Sequence, residues 1–202
     1  MHAESVQAPT DQERTEHTTL LGVEFACMTE HQAVAWICER TTLGQGSFVI
    51  TANLDHLRRC KVDDSYRQLV QQADLVVADG MPLIWASRLQ GPPLLPERVA
   101  GSSMTIALCE EAARRGLSMF LLGGDEGVAE RAALRLVEKH PAIRIVGHHC
   151  PPLGFEHDAS EMDRIRAVLK DAQAAIILVA LGSPKQEKLI RDIREVSPRS
   201  CW

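Results

Sequence analysis

SMFLLGGDEGVAERAALRLVEKHPAIRIVG, residues 118–147, holds one complete folding unit. SMFLL at 118–122 is a short apolar run that ends in the glycine-rich turn Gly123-Gly124-Asp125-Glu126-Gly127. An amphipathic stretch, EGVAERAALRLVEKH, follows and is closed by Pro141, after which IRIVG at 143–147 is again a strand. Two strands joined by a helix of this length lie parallel, and the crossover is right-handed.

Working outward, the same alternation recurs. FVIT at 48–51, LVVA at 75–78 and AIILVAL at 175–181 are further apolar runs, and SMTIALCEEAARR, closed by Gly116, is a second amphipathic helix. Near the start, LLGVEFACM reads as a short strand, and Thr29 with Gln32 has capping-box spacing for a helix burying Val34, Ile37 and Cys38 and ending at Gly44 and Gly46. Five candidate parallel strands separated by helices predict an α/β protein, a Rossmann-like mostly parallel sheet with helices on both faces. The expected organisation is a disordered leader over 1–19 and a single α/β core over 20–202, because MHAESVQAPTDQERTEHTT offers almost no apolar periodicity to bury.

Composition narrows the function classes. A formal charge of -5 without a Lys/Arg block gives no footprint for a nucleic-acid partner. The six cysteines form no C-x-x-C pair and read as reduced thiols of a cytoplasmic protein. The first residues carry acidic and polar groups instead of a basic region followed by an apolar one, so no signal peptide is expected. No apolar run approaches the roughly 20 residues that span a bilayer, which leaves peripheral membrane contact.

In a doubly wound sheet, ligands bind at the carboxyl ends of the strands. Thr51 and Asn53, two apart, turn their polar side chains to one side of an extended chain, where they suit a sugar or base; Asn53 equally suits capping a helix from Asp55. Asp79, beside Gly80, is a candidate general base, or the residue that opens the helix beginning at Pro82. Arg98 suits a bidentate clamp on phosphate, or an ion pair with Glu97. Gly123 brings backbone amides toward a phosphate, although the full G-x-G-x-x-G of dinucleotide binders is missing. At Ala180-Leu181-Gly182-Ser183-Pro184-Lys185-Gln186-Glu187, Gly182 permits close approach while Lys185, Gln186 and a helix N-terminus converge where an anion docks. A plain helix start, with Glu187 favoured by the dipole, explains the same residues. His148, His149 and Cys150 lack a second ligand cluster, and no D-x-D pair occurs, so neither a metal nor another cofactor is expected.

Thr51-Ala52-Asn53, Ala78-Asp79-Gly80, the LPERVAG that starts at Leu95, the FLLGGxxGVAE that starts at Phe120, the IVGHH that starts at Ile145 and the VALGSPKQE that starts at Val179 stand in an order and spacing that resemble the WecG/TagA/CpsF glycosyltransferases over roughly residues 20 to 195. The resemblance implies an inverting, metal-independent hexosyltransferase. Its donor would be a UDP-sugar, with N-acetylmannosamine or a related hexose. Its acceptor would be an undecaprenyl-diphosphate-linked saccharide on the way to teichoic acid, enterobacterial common antigen or exopolysaccharide. The resemblance assigns the catalytic base to Asp79 and pocket positions to Thr51, Asn53, Arg98 and Gln186. A non-catalytic nucleotide-sugar module and a Rossmann-type oxidoreductase are the alternatives.

The chain departs from the family pattern at two places. Cys150-Pro151-Pro152-Leu153-Gly154-Phe155 stands where the family carries G-Y-F. Family members also continue past the point matching Trp202, through another strand into a basic, amphipathic appendage. The expectation is therefore that contact with the inner face of the membrane depends on a C-terminal segment missing here. This form should then bind nucleotide yet transfer poorly, with a homo-oligomer left open.

Overall fold

A computed structural model describes residues 15–202. The first strands form a hairpin: β1 (His17–Leu20) pairs antiparallel with β2 (Val23–Ala26). LLGVEFACM is thus not one strand, because Leu21 and Gly22 take positive φ, 50° and 82°, and reverse the chain. The stretch expected to be a disordered leader, residues 1–19, overlaps β1. Residues 1–14 lie outside the described residues, whereas His17–Thr19 belong to β1, with Thr18 and Leu20 buried.

After α1 (Glu30–Thr42), whose Thr29–Gln32 capping box forms as the spacing predicts, the parallel strands begin. β3 (Val49–Ala52) leads through α2 (Leu54–Val62) and α3 (Asp64–Val70) to β4 (Leu75–Ala78), its hydrogen-bonded parallel neighbour. α4 (Met81–Gln90) and α5 (Gly101–Arg115) then carry the chain to β5 (Ser118–Gly123). α6 (Val128–Lys139) returns it to β6 (Arg144–His149), and α7 (Ala159–Ala172) to β7 (Ile176–Ala180), giving the order β6-β5-β7. α8 (Lys185–Ile193) follows, so each of the five predicted parallel strands is present.

The last three residues join the two half-sheets. Cys201 bridges in parallel to Ser47 ahead of β3 and to Ile176 of β7. Backbone bonds run from Ser47 to Ser200, from Val49 to Trp202, from Trp202 to Ser47, from Ile177 to Cys201 and from Cys201 to Ala175. The strand order across the molecule becomes β6, β5, β7, residues 200–202, β3, β4.

Alternation along the strands builds two apolar layers. Val76, Ala78, Phe120, Leu122 and Ile177 pack with Leu57, Tyr66, Leu83, Ile165 and Ile190 from α2, α3, α4, α7 and α8. Leu75, Val77, Met119 and Ile176 pack with Ile37, Leu108 and Cys109 from α1 and α5, joined by Leu136 of α6. All four residues of β4 are buried, whereas β6 alternates between exposed and half-buried, as an edge strand does. Burial pushes the thiols of Cys38 and Cys109 up to about 11 and that of Cys201 to about 12, which leaves them protonated packing groups.

Candidate active site

The carboxyl ends of β3 and β4 and the start of α5 meet at one point. Asp79 extends the parallel ladder past β4, its amide donating to Ala52 at 2.8 Å. Its side chain does not open α4; Oδ2 instead accepts the Gly101 amide of α5 at 3.3 Å. Half-buried Thr51 faces the same residue, with Oγ1 2.9 Å from where a Cβ on Gly101 would sit. The bond from the Val99 amide to the Ala78 carbonyl, 2.8 Å, holds the segment bearing Arg98 against the end of β4.

Arg98 itself is exposed and forms no ion pair among the described residues. The pairing with Glu97 that the sequence suggests does not occur, because Glu97 Oε1 accepts the Glu30 amide at 2.7 Å at the start of α1. Asn53 is a helix cap: Oδ1 accepts the amides of Asp55 and His56 at 3.0 and 3.3 Å. That cap leaves the Asn53 side-chain NH2 without a partner among the described residues.

The ends of β5, β6 and β7 form the other wall. Gly123 has φ 114°, and a Cβ there would stand 2.4 Å from the Ala180 carbonyl oxygen, so only glycine lets these strand ends close. The next amide, on Gly124, donates to that same oxygen at 2.9 Å, and the Cys150 thiol donates to the Gly123 carbonyl at 3.3 Å. The glycine turn thus ties strands together. The amide of Gly124 is engaged and does not point to a ligand.

Beyond β7, Gly182 turns with φ 76° into α8. Lys185 Nζ lies 2.8 Å from Glu156 Oε1, and that bond holds the Glu156 carboxyl below the usual carboxylate range. The Gln186 amide donates to the Gly182 carbonyl at 3.0 Å, and its half-buried side chain forms no hydrogen bond among the described residues. His149, where the sequence gives no reason to expect a metal, has Nε2 2.6 Å from Glu161 Oε1.

Two contacts that the sequence reading missed hold the walls together. His56 Nε2 lies 3.2 Å from Glu187 Oε1, and the Tyr66 hydroxyl lies 2.9 Å from Ser183 Oγ. Both run from the helices after β3 to the far side of β7, the first to α8 and the second to the turn before it. Each left half a trace in the sequence, since Ser183 and Glu187 stand in the VALGSPKQE motif whereas His56 and Tyr66 stand in no motif.

A doubly wound sheet with a carboxylate, a hydroxyl and two helix starts converging on its strand ends defines a ligand-binding α/β enzyme core. Residues 18–202 match the glycosyl transferase WecG/TagA/CpsF family profile, nearly the whole chain, and the protein belongs to that family. It is accordingly a glycosyltransferase of cell-surface polysaccharide synthesis. Among the described residues no helix is long and apolar enough to cross a membrane.

Proposed function

We propose that the protein transfers a hexose, N-acetylmannosamine or a close relative, from a UDP-sugar to a polyprenyl-diphosphate-linked saccharide, with inversion at the anomeric carbon. The observation that carries this reading is the setting of Asp79. One carboxylate oxygen is held by the Gly101 amide, beside Thr51, and Oδ1 remains for a substrate hydroxyl. An inverting transfer needs one such base, which takes the acceptor proton as that oxygen attacks the anomeric carbon. The departing UDP gains negative charge, and the α8 N-terminus with Lys185 and Arg98 provides positive potential for it without requiring a metal. Gly182 and Gln186 border the donor, and Asn53 and Thr51 meet the sugar or base.

The exposed side of α4 supports work at the inner face of the membrane. Met81, Trp85 and Leu89, at spacing four, are all exposed, and the helix carries Arg88 but no acidic residue. A helix that is apolar on its outer side as well as its inner side needs a second apolar surface. An interfacial tryptophan beside a cationic group suits an anionic bilayer, and the stripe starts two residues past Asp79.

Asp79→Asn tests the reading. UDP affinity, measured by calorimetry, should stay nearly unchanged, while transfer falls by about a hundredfold or more. Near-normal turnover would leave Asp79 as the cap of α5 alone. Titration with NAD beside UDP separates the oxidoreductase alternative, which requires NAD to bind.

A further inference from the structure

We propose that His56 and Glu187 form a buried positioning pair that fixes the Asn53 side chain from the α8 side; the proposal rests on reading this crevice as the donor site. His56 is the third residue of α2 and Glu187 the third of α8, 131 positions apart, with exposures of 7% and 1%. A glutamate in the first turn of a helix favours the dipole from the surface. Glu187 instead points inward. Its Oε1 meets His56 Nε2 at 3.2 Å, and its Oε2 has no partner among the described residues. Burial of a carboxylate with one hydrogen bond is unfavourable unless a cation accompanies it.

The His56 ring is the one polar partner of the Glu187 carboxyl among the described residues. His56 Nδ1 stands 2.8 Å from Asn53 Oδ1, which already accepts the amides of Asp55 and His56. Its two nitrogens therefore face an amide oxygen and a carboxyl group, and Nδ1 meets the amide oxygen as a donor. The Asn53 backbone amide also lies 3.3 Å from Nδ1, but a ring accepting from it would set a lone pair against Oδ1 at the shorter distance. Around the ring stand Asp55 on its own helix and Tyr66 on α3, whose ring centroid lies 6.3 Å away, whose face carries Arg59 and whose phenol is pushed up by burial.

His56 and Glu187, both buried, act as positioning residues. Their effect passes through Asn53: with Oδ1 fixed by three donors, the NH2 is left in one orientation for a donor hydroxyl, carbonyl or phosphoryl oxygen. The pair also makes the end of β3 sense the position of the α8 turn. A misplaced α8 would loosen Asn53 without touching it.

The test uses the whole chain, with Asn53→Ala, His56→Ala, Glu187→Ala and the double variant Asn53→Ala/His56→Ala, each checked by thermal melting. With UDP-N-acetylmannosamine and UDP in calorimetry, His56→Ala and Asn53→Ala should each weaken binding by about tenfold. The double variant should be no weaker than Asn53→Ala alone, and losses that multiply would overturn the proposal. Where His56→Ala melts early, His56→Asn retains a donor near the Nδ1 position and should rescue affinity. In the ligand-free protein, the Asn53 side-chain amide should give one dispersed pair of NMR signals that collapses in His56→Ala and Glu187→Ala. Unchanged Asn53 signals overturn the pair. A wild-type chain that binds neither nucleotide, with the collapse still seen in the two variants, overturns the donor reading and leaves the positioning pair standing.

Discussion

A methyl group added at Gly101 would stand 2.9 Å from the Thr51 hydroxyl, and the Gly101 amide is what holds Asp79. Gly101→Ala is therefore expected to separate stability from activity. Alanine is the better helix former at this position, and a threonine side chain can rotate away, so melting should shift by no more than about 2–4 °C, equivalent to about 1 kcal/mol. The displaced Thr51 and Asp79 should lower transfer by about tenfold or more, because small misplacements at a reacting centre are costly. Wild-type transfer rates would show that this corner tolerates movement. The polar residues at this corner were legible because strand ends are marked by apolar runs giving way to Thr51, Asn53 and Asp79. Their partners were not: Gly101 lies 22 positions from Asp79, and nothing local points to it.

Among the elements, α4 presents Leu83 and Ile84 to the core and Trp85 and Leu89 to the outside. With Trp85 56% exposed and Leu89 90% exposed, vesicles containing phosphatidylglycerol should shift Trp85 emission to the blue, and Trp85→Ser/Leu89→Ser should weaken sedimentation with them by about tenfold. High salt should reduce binding only in part, since the stripe is mainly apolar. If vesicles leave the emission unchanged while the double variant abolishes self-association in ultracentrifugation, the stripe joins two copies of the chain instead. Element boundaries followed local chemistry closely at α1, with its capping box, and at α5, where Gly116 takes φ 67° as the helix-ending glycine. The β1–β2 hairpin escaped because Leu-Gly at its turn carries no strong hairpin signal, and the apolar run continues through it.

At the scale of the whole molecule, residues 200–202 lie between β3 and β7 and supply five backbone hydrogen bonds that link the half-sheets. Trp202 is 7% exposed and packs in the layer shared with Phe120, Ile177 and Tyr66. Trp202→Ala should lower the unfolding free energy in urea by about 3–5 kcal/mol, the range for removing a buried tryptophan. A loss under about 1 kcal/mol would mean that the halves are held mainly by the helices across both faces.

The sequence by itself determined the class of fold, because short apolar runs alternating with amphipathic helices leave a parallel sheet as the arrangement that buries both. It also marked the strand ends at which polar residues gather, and the order of its motifs pointed to the glycosyltransferase family that the match over residues 18–202 shows. Only tertiary structure decided the sheet order, since residues 200–202 insert between strands more than 120 positions apart in the chain. Tertiary structure likewise decided partner choice: Glu97 caps α1 rather than pairing with Arg98, Lys185 meets Glu156, and Glu187 turns inward to His56. Periodicity reports which face of an element is buried. It carries no information on which distant side chain lies opposite, and hydrogen bonds of a few ångströms depend on that.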